Sequence, residues 1–515
     1  MNDQSYNLSR RSFLAKGSCG MMGIAPIINT LSQLQLVNSA AASTNGGGSV
    51  GTNYKALVCV FLRGGCDMNN VLIPIHLDAS NTNTQAAGYA ADRATIAINN
   101  GVNAPNETIP LTLPGNERFG LHPSLVNFAN VFGDGDATFL TNVGTLAEPT
   151  NASNYNNVIL PRQLYSHSDQ TTEWMASVAE GPVTSGWGAR AAELLNDTWN
   201  PNSEVSMLIS AAGNAEILGG SPSVPQVSVT STGAISLAGF SNNNSPYGQA
   251  INPQGNYRNN RPGRRLQALE EMMGYSREHI LEEGYSTVVR RARENEALIL
   301  EASSAAAGLG LDVDGIFSSF NANSNVADEL KAVFRLIAGR ECLGNTRQIF
   351  FVDYGSFDFH QDINLDMAGL LTDLDNALGA FNSALKQLAS ADVNFSHDMV
   401  TSFTGSDFNR TWTPNSDNPD TAGTDHAWGS HAIIMGGAVN GSQLYGTFPE
   451  LALGGSSDIP GGARGRWIPT TSVDEFTAIL ANWFGVPPGS AEMTTILPNL
   501  DRFPNPFTTP DLAFL

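Results

Sequence analysis

"KALVCVFLRGGCDMNN", residues 55–70, sets the fold class. Its apolar run from Ala56 to Leu62 has the length of a strand and stops at Gly64-Gly65, where the chain turns. Asp67 then stands just past the carboxyl end of that strand. Open α/β sheets take their ligands beyond the strand termini, so strand, turn and acid in this order predict a site at the edge of a parallel sheet.

The flanking sequence continues the pattern. "SLVNFANVF" after His122-Pro123 reads as a helix and "ATFLTNVG" as a strand. "RQLYSHSDQTTEWMASV" begins a helix with Ser166 or Ser168 as its cap, "GWGARAAELL" continues as a helix, and "VSMLIS" is another strand. Residues 231–263, rich in Gly, Asn and Pro, read as a surface excursion. Helical spacing then runs from Arg264 to about Ala307 and again through "VADELKAVFRLIAG", so a loop and helical insertion is expected at about 231–340. "RQIFFVDYG", the long helix "MAGLLTDLDNALGAFNSALKQLA" and "MVTSFTG" form a right-handed parallel crossover. The expected fold is α/β, a central mostly parallel sheet flanked by helices.

Composition removes several classes of function. The 515 residues carry 26 Lys and Arg against 48 Asp and Glu, a formal net charge of −22, which would repel a phosphate backbone. The basic clusters, Arg261, Arg264, Arg265 and Arg290, Arg291, Arg293, read as solvated helix charge, and no nucleic-acid partner is expected. The four cysteines show no C-x-x-C spacing and fit neither a disulfide scaffold nor a cysteine zinc site. "LSRRSFLAKG", with Arg10 and Arg11, followed by a modestly apolar stretch and "NSAAAS", resembles a twin-arginine export signal over residues 1–42, with a flexible linker at 43–53. The expected partner during export is the twin-arginine translocase, and the expected location is periplasmic or extracellular. No later stretch offers the roughly 18 apolar residues of a membrane span, so none is expected in the mature form.

Four polar constellations follow strands or open helices: Asp67 with Asn69 and Asn70; Ser166, His167, Ser168 and Asp169; Asp358, His360 and Asp362; and Asp407 with Arg410, then Asp425, His426 and His431. A divalent cation needs three or four imidazole or carboxylate ligands, and a catalytic site leaves one position open. Asp67, Asp358, His360, Asp407, Asp425, His426 and His431 are the candidate ligands. The loop "TAGTDHAWGSH", residues 421–431, reads as a ligand loop, its glycines at 423 and 429 permitting a sharp turn and Trp428 packing its back. Other readings stay open. Asp67 also fits an Asx turn or helix cap, His426 an ion pair with Asp425, and His431 a satisfied core histidine. His76, His122, His279 and His397 are read as structural.

Together, "FLRGGCDMNNVLIP", "SHSDQTTEW" with "GWGAR", "FDFHQD", and "TGSDFNRTWTPNS" with "GTDHAWGSHAIIMGGAVNGSQLYG" resemble the exported bacterial proteins of the DUF1501 family, a group distantly similar to the alkaline phosphatase and sulfatase superfamily. The resemblance spans about Tyr54 to Trp483. It implies one alkaline-phosphatase-like domain over 54–515, a cofactor of one or two divalent ions (zinc first, manganese or calcium as alternatives) and hydrolysis of a small anionic phosphate or sulfate ester. The alternative is a non-catalytic exported binding or assembly protein with a degenerate site, for instance one that handles polysaccharide. Ser166 matches the hydroxyl nucleophile at a helix amino terminus, with Ser168 a second hydroxyl. Arg410 is the expected clamp on an anionic oxygen, and Arg63, Asn70 and His167 are the expected substrate contacts. Phe408 departs from the superfamily pattern, which commonly places a histidine after the acid.

Overall fold

In the computed structural model, residues 53–515 are described apart from 116–117, 202, 204, 231–232, 235–239, 241–246, 253, 274, 276–294 and 297. The export segment at 1–42 and all but the last residue of the linker at 43–53 lie outside the described residues, as do parts of the 231–340 region.

Lys55–Leu62 (β1) is central in a ten-stranded sheet. The others are Ala137–Gly144 (β2), Leu208–Ser210 (β3), Val227–Thr230 (β4), Gly233–Ala234 (β5), Arg347–Tyr354 (β6), Val400–Ser406 (β7), Ser430–Met435 (β8), Leu444–Gly446 (β9) and Thr471–Ser472 (β10). Their order is β5-β4-β3-β6-β1-β7-β8-β2-β9, with β10 also pairing β2. β1 is parallel to β6 and β7, and the register matches Leu62 with Tyr354 and with Ser406. Three central strands therefore end level, and whatever follows each one meets at the same rim. β8 runs against both β7 and β2, so its entry, not its exit, lies at that rim.

The alternation of β1 shows why its sequence is apolar throughout. Ala56, Val58, Val60 and Leu62 enter one core and Leu57, Cys59 and Phe61 the other, each side chain 2% exposed or less. A strand covered on both faces has no solvent side on which to place polar residues. Val126–Gly133 (α1) lies with the first core and His167–Ala176 (α2) and Trp187–Trp199 (α3) with the second. Asn325–Ala338 (α4) and Ile363–Ala391 (α5) also cover the first face, and Val473–Phe484 (α6) the second. In α5, Met367, Leu371, Leu374, Leu378, Phe381, Leu385 and Leu388 repeat at spacings of three and four, a single apolar stripe that joins the core. α6 starts at a capping box in which the Ser472 hydroxyl accepts from Glu475 N–H and the Glu475 carboxylate accepts from Ser472 N–H.

One element sits elsewhere than expected. α4, placed with the insertion on sequence grounds, is a full member of the helical layer, with Val326, Leu330, Val333, Phe334 and Ile337 in the same core as β1. Helical periodicity reveals a buried face but not which partner buries it. Of the helical stretch expected from Arg264 to about Ala307, the described parts Arg261–Met273, 295–296 and 298–308 are helical, and Tyr275 is a bend. Among the described residues no helix is long and apolar enough to cross a membrane.

Candidate metal centre

The rim of β6, β1, β7 and β8 gathers three imidazoles and a carboxylate from three segments. His167 opens α2, Asp358 and His360 follow β6, and His426 lies in the loop that enters β8. Each ring commits its Nδ1 to an oxygen: His167 to Asp407 Oδ2 at 2.7 Å, His360 to Asp425 Oδ1 at 3.2 Å, and His426 to the carbonyl of Tyr165 at 2.7 Å. Carboxylate and carbonyl oxygens only accept, so Nδ1 carries the proton in all three. The Nε2 atoms of the neutral rings are then bare lone pairs, and they converge. His426 Nε2 lies 3.1 Å from His167 Nε2 and 2.9 Å from His360 Nε2. The Asp358 carboxylate completes the group, its oxygens 3.3 Å from His426 Nε2, 3.2 Å from His360 Nε2 and 3.5 Å from His167 Nε2.

Converging lone pairs repel unless something positive lies among them. Either one Nε2 takes a proton or a cation sits at the focus. The arrangement suits both: the hydrogen bond that His167 donates to the Asp407 carboxylate pushes the His167 pKa up, whereas burial pushes that of His426 down. Burial works to raise the Asp358 carboxyl, but the Arg410 guanidinium outweighs it and holds the group below its ordinary value. Imidazoles fixed through Nδ1–H to carboxylate or carbonyl, with Nε2 turned inward, are the common construction of a metal site. Ligand atoms of His167, Asp358 and His426 lie within 4.8 Å of one another.

The surroundings lock these groups in place. Arg410 is fully buried and donates from Nη1 to Asp358 Oδ1 (2.7 Å) and Gly64 O (3.1 Å), and from Nε and Nη2 to Thr424. With its donors so engaged, it positions Asp358 and is not placed as the expected anion clamp. Arg464 holds the far oxygen of Asp425 at 2.8 Å. Gly64, at φ +101°, donates its N–H to Asp407, and a Cβ there would lie 2.6 Å from Asp358 N. Gly423 serves close approach, not the bend expected of it: its φ is ordinary, and a Cβ would lie 2.2 Å from the carbonyl carbon of His360. Tyr165, Ser356 and Asp362, flanking the histidine and aspartate positions, are non-glycine residues at φ +74°, +85° and +57°, the kind of backbone strain that collects at functional sites. Phe408 packs its ring 4.7 Å from that of His167 and 4.6 Å from that of His426, walling one side of the cluster with hydrocarbon. Trp428 does pack the back of the loop, buried, with Nε1 donating to Thr145 O.

Other expected site residues lie outside the cluster. Asp407 and Asp425, expected as ligands, stand behind imidazoles as their Nδ1 partners. Asp67 is fully buried in an ion pair with Arg93, whose other nitrogens reach Asn70, Thr411 O and Trp412 O. Asn70, expected to touch substrate, is buried and donates to Ile96 O while accepting from Tyr89. The Ser166 hydroxyl donates to Asp169 Oδ2 at 2.6 Å and lies 3.2 Å from that of Ser168, and neither hydroxyl bonds to the cluster. Neither caps α2 through its side chain. Arg63 is half exposed and pairs with Asp353.

His431 is a core histidine. Its Nδ1 accepts from Asn142 N–H at 3.0 Å, its ring stacks on Phe448, and burial pushes its pKa down to about 3. The unfolded chain would protonate this ring near 6.5 while the folded chain does not. Its contribution to stability is therefore complete above about pH 6.5 and is lost as pH falls toward about 3. In His431→Gln, which retains an acceptor for Asn142, the loss of stability between about pH 7 and 4 should shrink by about 3 kcal/mol. Urea midpoints across that range, measured with chelator present, check this.

Arg93, Arg464 and Arg466 were not legible as participants, since each sits in a segment with no histidine or acid spacing to mark it. The molecule is thus an α/β protein with a three-histidine, one-aspartate cluster on the carboxyl rim of its sheet. The family model described as "Protein of unknown function (DUF1501)" matches residues 54–457, and the chain belongs to that family. Searches among curated proteins and among solved structures found no match.

Proposed function

We propose that the chain binds one divalent cation through Nε2 of His167, His360 and His426 and the carboxylate of Asp358, and hydrolyses phosphate or sulfate esters outside the cytoplasm. The observation that carries the metal reading is the commitment of all three Nδ1–H groups to oxygen acceptors, which leaves the Nε2 atoms of His167 and His360 free, each in contact with that of His426. A nitrogen-rich set favours zinc over manganese or calcium, which prefer oxygen ligands. Phe408 favours one ion over two, because its ring occupies a side of the cluster and supplies no ligand. A cation so held polarises an ester oxygen and makes water a stronger nucleophile. The protein's own part is orientation: Asp407, Asp425 and the Tyr165 carbonyl fix the rings, and Arg410 fixes Asp358. The resemblance to the alkaline phosphatase and sulfatase superfamily supports the ester substrate.

A non-catalytic exported binding or assembly protein is the second reading. The engagement of the Ser166 hydroxyl by Asp169 favours it, since no serine is poised as a nucleophile at the cluster among the described residues. Metal analysis of the dialysed protein, followed by assays on 4-nitrophenyl phosphate and sulfate, separates the two. One zinc per chain with turnover supports the hydrolase, zinc without turnover leaves the binding protein, and absence of zinc removes the metal reading.

Export rests on Arg10 and Arg11. Lysine at both positions is expected to retain the protein in the cytoplasm, and cell fractionation reads the result. Unchanged export of the double variant would refute the twin-arginine route.

A further inference from the structure

The geometry points to Arg466 as the oxyanion contact of this site, with a phosphate or sulfate group as its ligand. The inference rests on the metal reading above for the second half of the anion's binding site, but its key observation is separate. Arg466 Nε donates at 2.8 Å to the carbonyl of His426, the residue whose Nε2 lies at the focus of the cluster. The guanidinium is therefore one hydrogen bond from the main chain of a residue whose ring belongs to the cluster. Its plane is held a second time by the ring of Tyr165, 4.7 Å away, and the Tyr165 carbonyl in turn holds His426 Nδ1. Its own main-chain N–H is tied to Asp458 Oδ1 at 2.9 Å.

What distinguishes Arg466 from the other arginines of the rim is the absence of a carboxylate partner. Arg410 answers Asp358, Arg464 answers Asp425 and Arg63 answers Asp353. Among the described residues no carboxylate pairs with the guanidinium of Arg466, although the side chain is half-buried and doubly supported. A guanidinium fixed through Nε presents its two Nη groups as a fork, the shape that matches two oxygens of a phosphate or sulfate. The local charge agrees. Asp358, Asp407 and Asp425 are opposed by Arg410 and Arg464, so Arg466 with a dication leaves the site positive, a field that attracts an anion.

The test uses the zinc-loaded mature protein titrated calorimetrically with inorganic phosphate and, separately, inorganic sulfate, which identifies the preferred oxyanion. Arg466→Gln should weaken the bound anion about tenfold to a hundredfold with zinc content unchanged, and Arg466→Lys, which keeps the charge but loses the fork, should weaken it less. Unchanged zinc content also shows that the variant's site is folded. Equal anion affinity in wild type and Arg466→Gln would overturn the inference, as would a zinc-loaded wild type that binds neither anion. If the wild type takes up no zinc, the metal reading fails by itself; phosphate binding by the chelator-treated protein, lost or kept in Arg466→Gln, then decides the role of Arg466.

Discussion

Alanine in place of His426 is expected to weaken zinc binding about a thousandfold, the largest loss of any single change at the rim. His426 Nε2 lies within 3.3 Å of the Nε2 atoms of both other imidazoles and of an Asp358 carboxylate oxygen, so its removal opens the middle of the ligand set. Zinc held by four ligands in small domains gains roughly 10–16 kcal/mol, so one ligand's share is on the order of 3–4 kcal/mol. Asparagine at Asp407 or Asp425 removes only the oxygen charge behind a ring and should cost about tenfold to a hundredfold. Competition with a chromophoric chelator measures all three. A loss at Asp407→Asn or Asp425→Asn as large as that at His426→Ala would make the carboxylate a direct ligand, against the geometry. Wild-type affinity in His426→Ala would eliminate the cluster as the zinc site.

Asp67→Asn should act on a different quantity. Removing the charge leaves the Arg93 guanidinium fully buried with only Asn70 and two backbone carbonyls for company. Breaking one side of a buried pair costs about 3–5 kcal/mol, a large part of the roughly 5–15 kcal/mol typical of a folded domain. Denaturant unfolding of the metal-free protein should show that loss, while the fraction that remains folded still takes up one zinc per chain. Loss of zinc with full stability would instead return Asp67 to the ligand set.

These two residues mark how far the sequence could be read. The apolar run of β1, the crossover through α5 and the arrival of acids and histidines after strand ends were all visible, because strand length, helical period and strand-end position are one-dimensional signals. Whether a carboxylate touches a cation or stands behind an imidazole was not, because that depends on which ring nitrogen faces it. Asp407 and Asp425 differ from Asp358 in nothing that spacing records. Arg93 lies 26 residues from Asp67 in a stretch without a recognisable pattern, so their pairing had no signal. His431 shares the ligand loop with His426, but it lies on β8, where its ring meets Phe448 and Asn142 instead of the cluster. The glycine at 423 was noticed for the wrong property: it is needed for contact with the His360 backbone, and contact is invisible before folding.

The reversal of β8 has an evolutionary consequence. Because β7 ends at the rim and β8 begins there, residues 407–429 form a span clamped at both ends by the sheet, with the anchoring groups near its two ends. The middle, 414–421, is mostly open to water. Lengthening a surface span adds little entropic penalty, so this stretch can grow, shrink or change its chemistry while the clamps stay where they are. It is the natural place for relatives to diverge in what they recognise, and the first place to graft a new recognition segment.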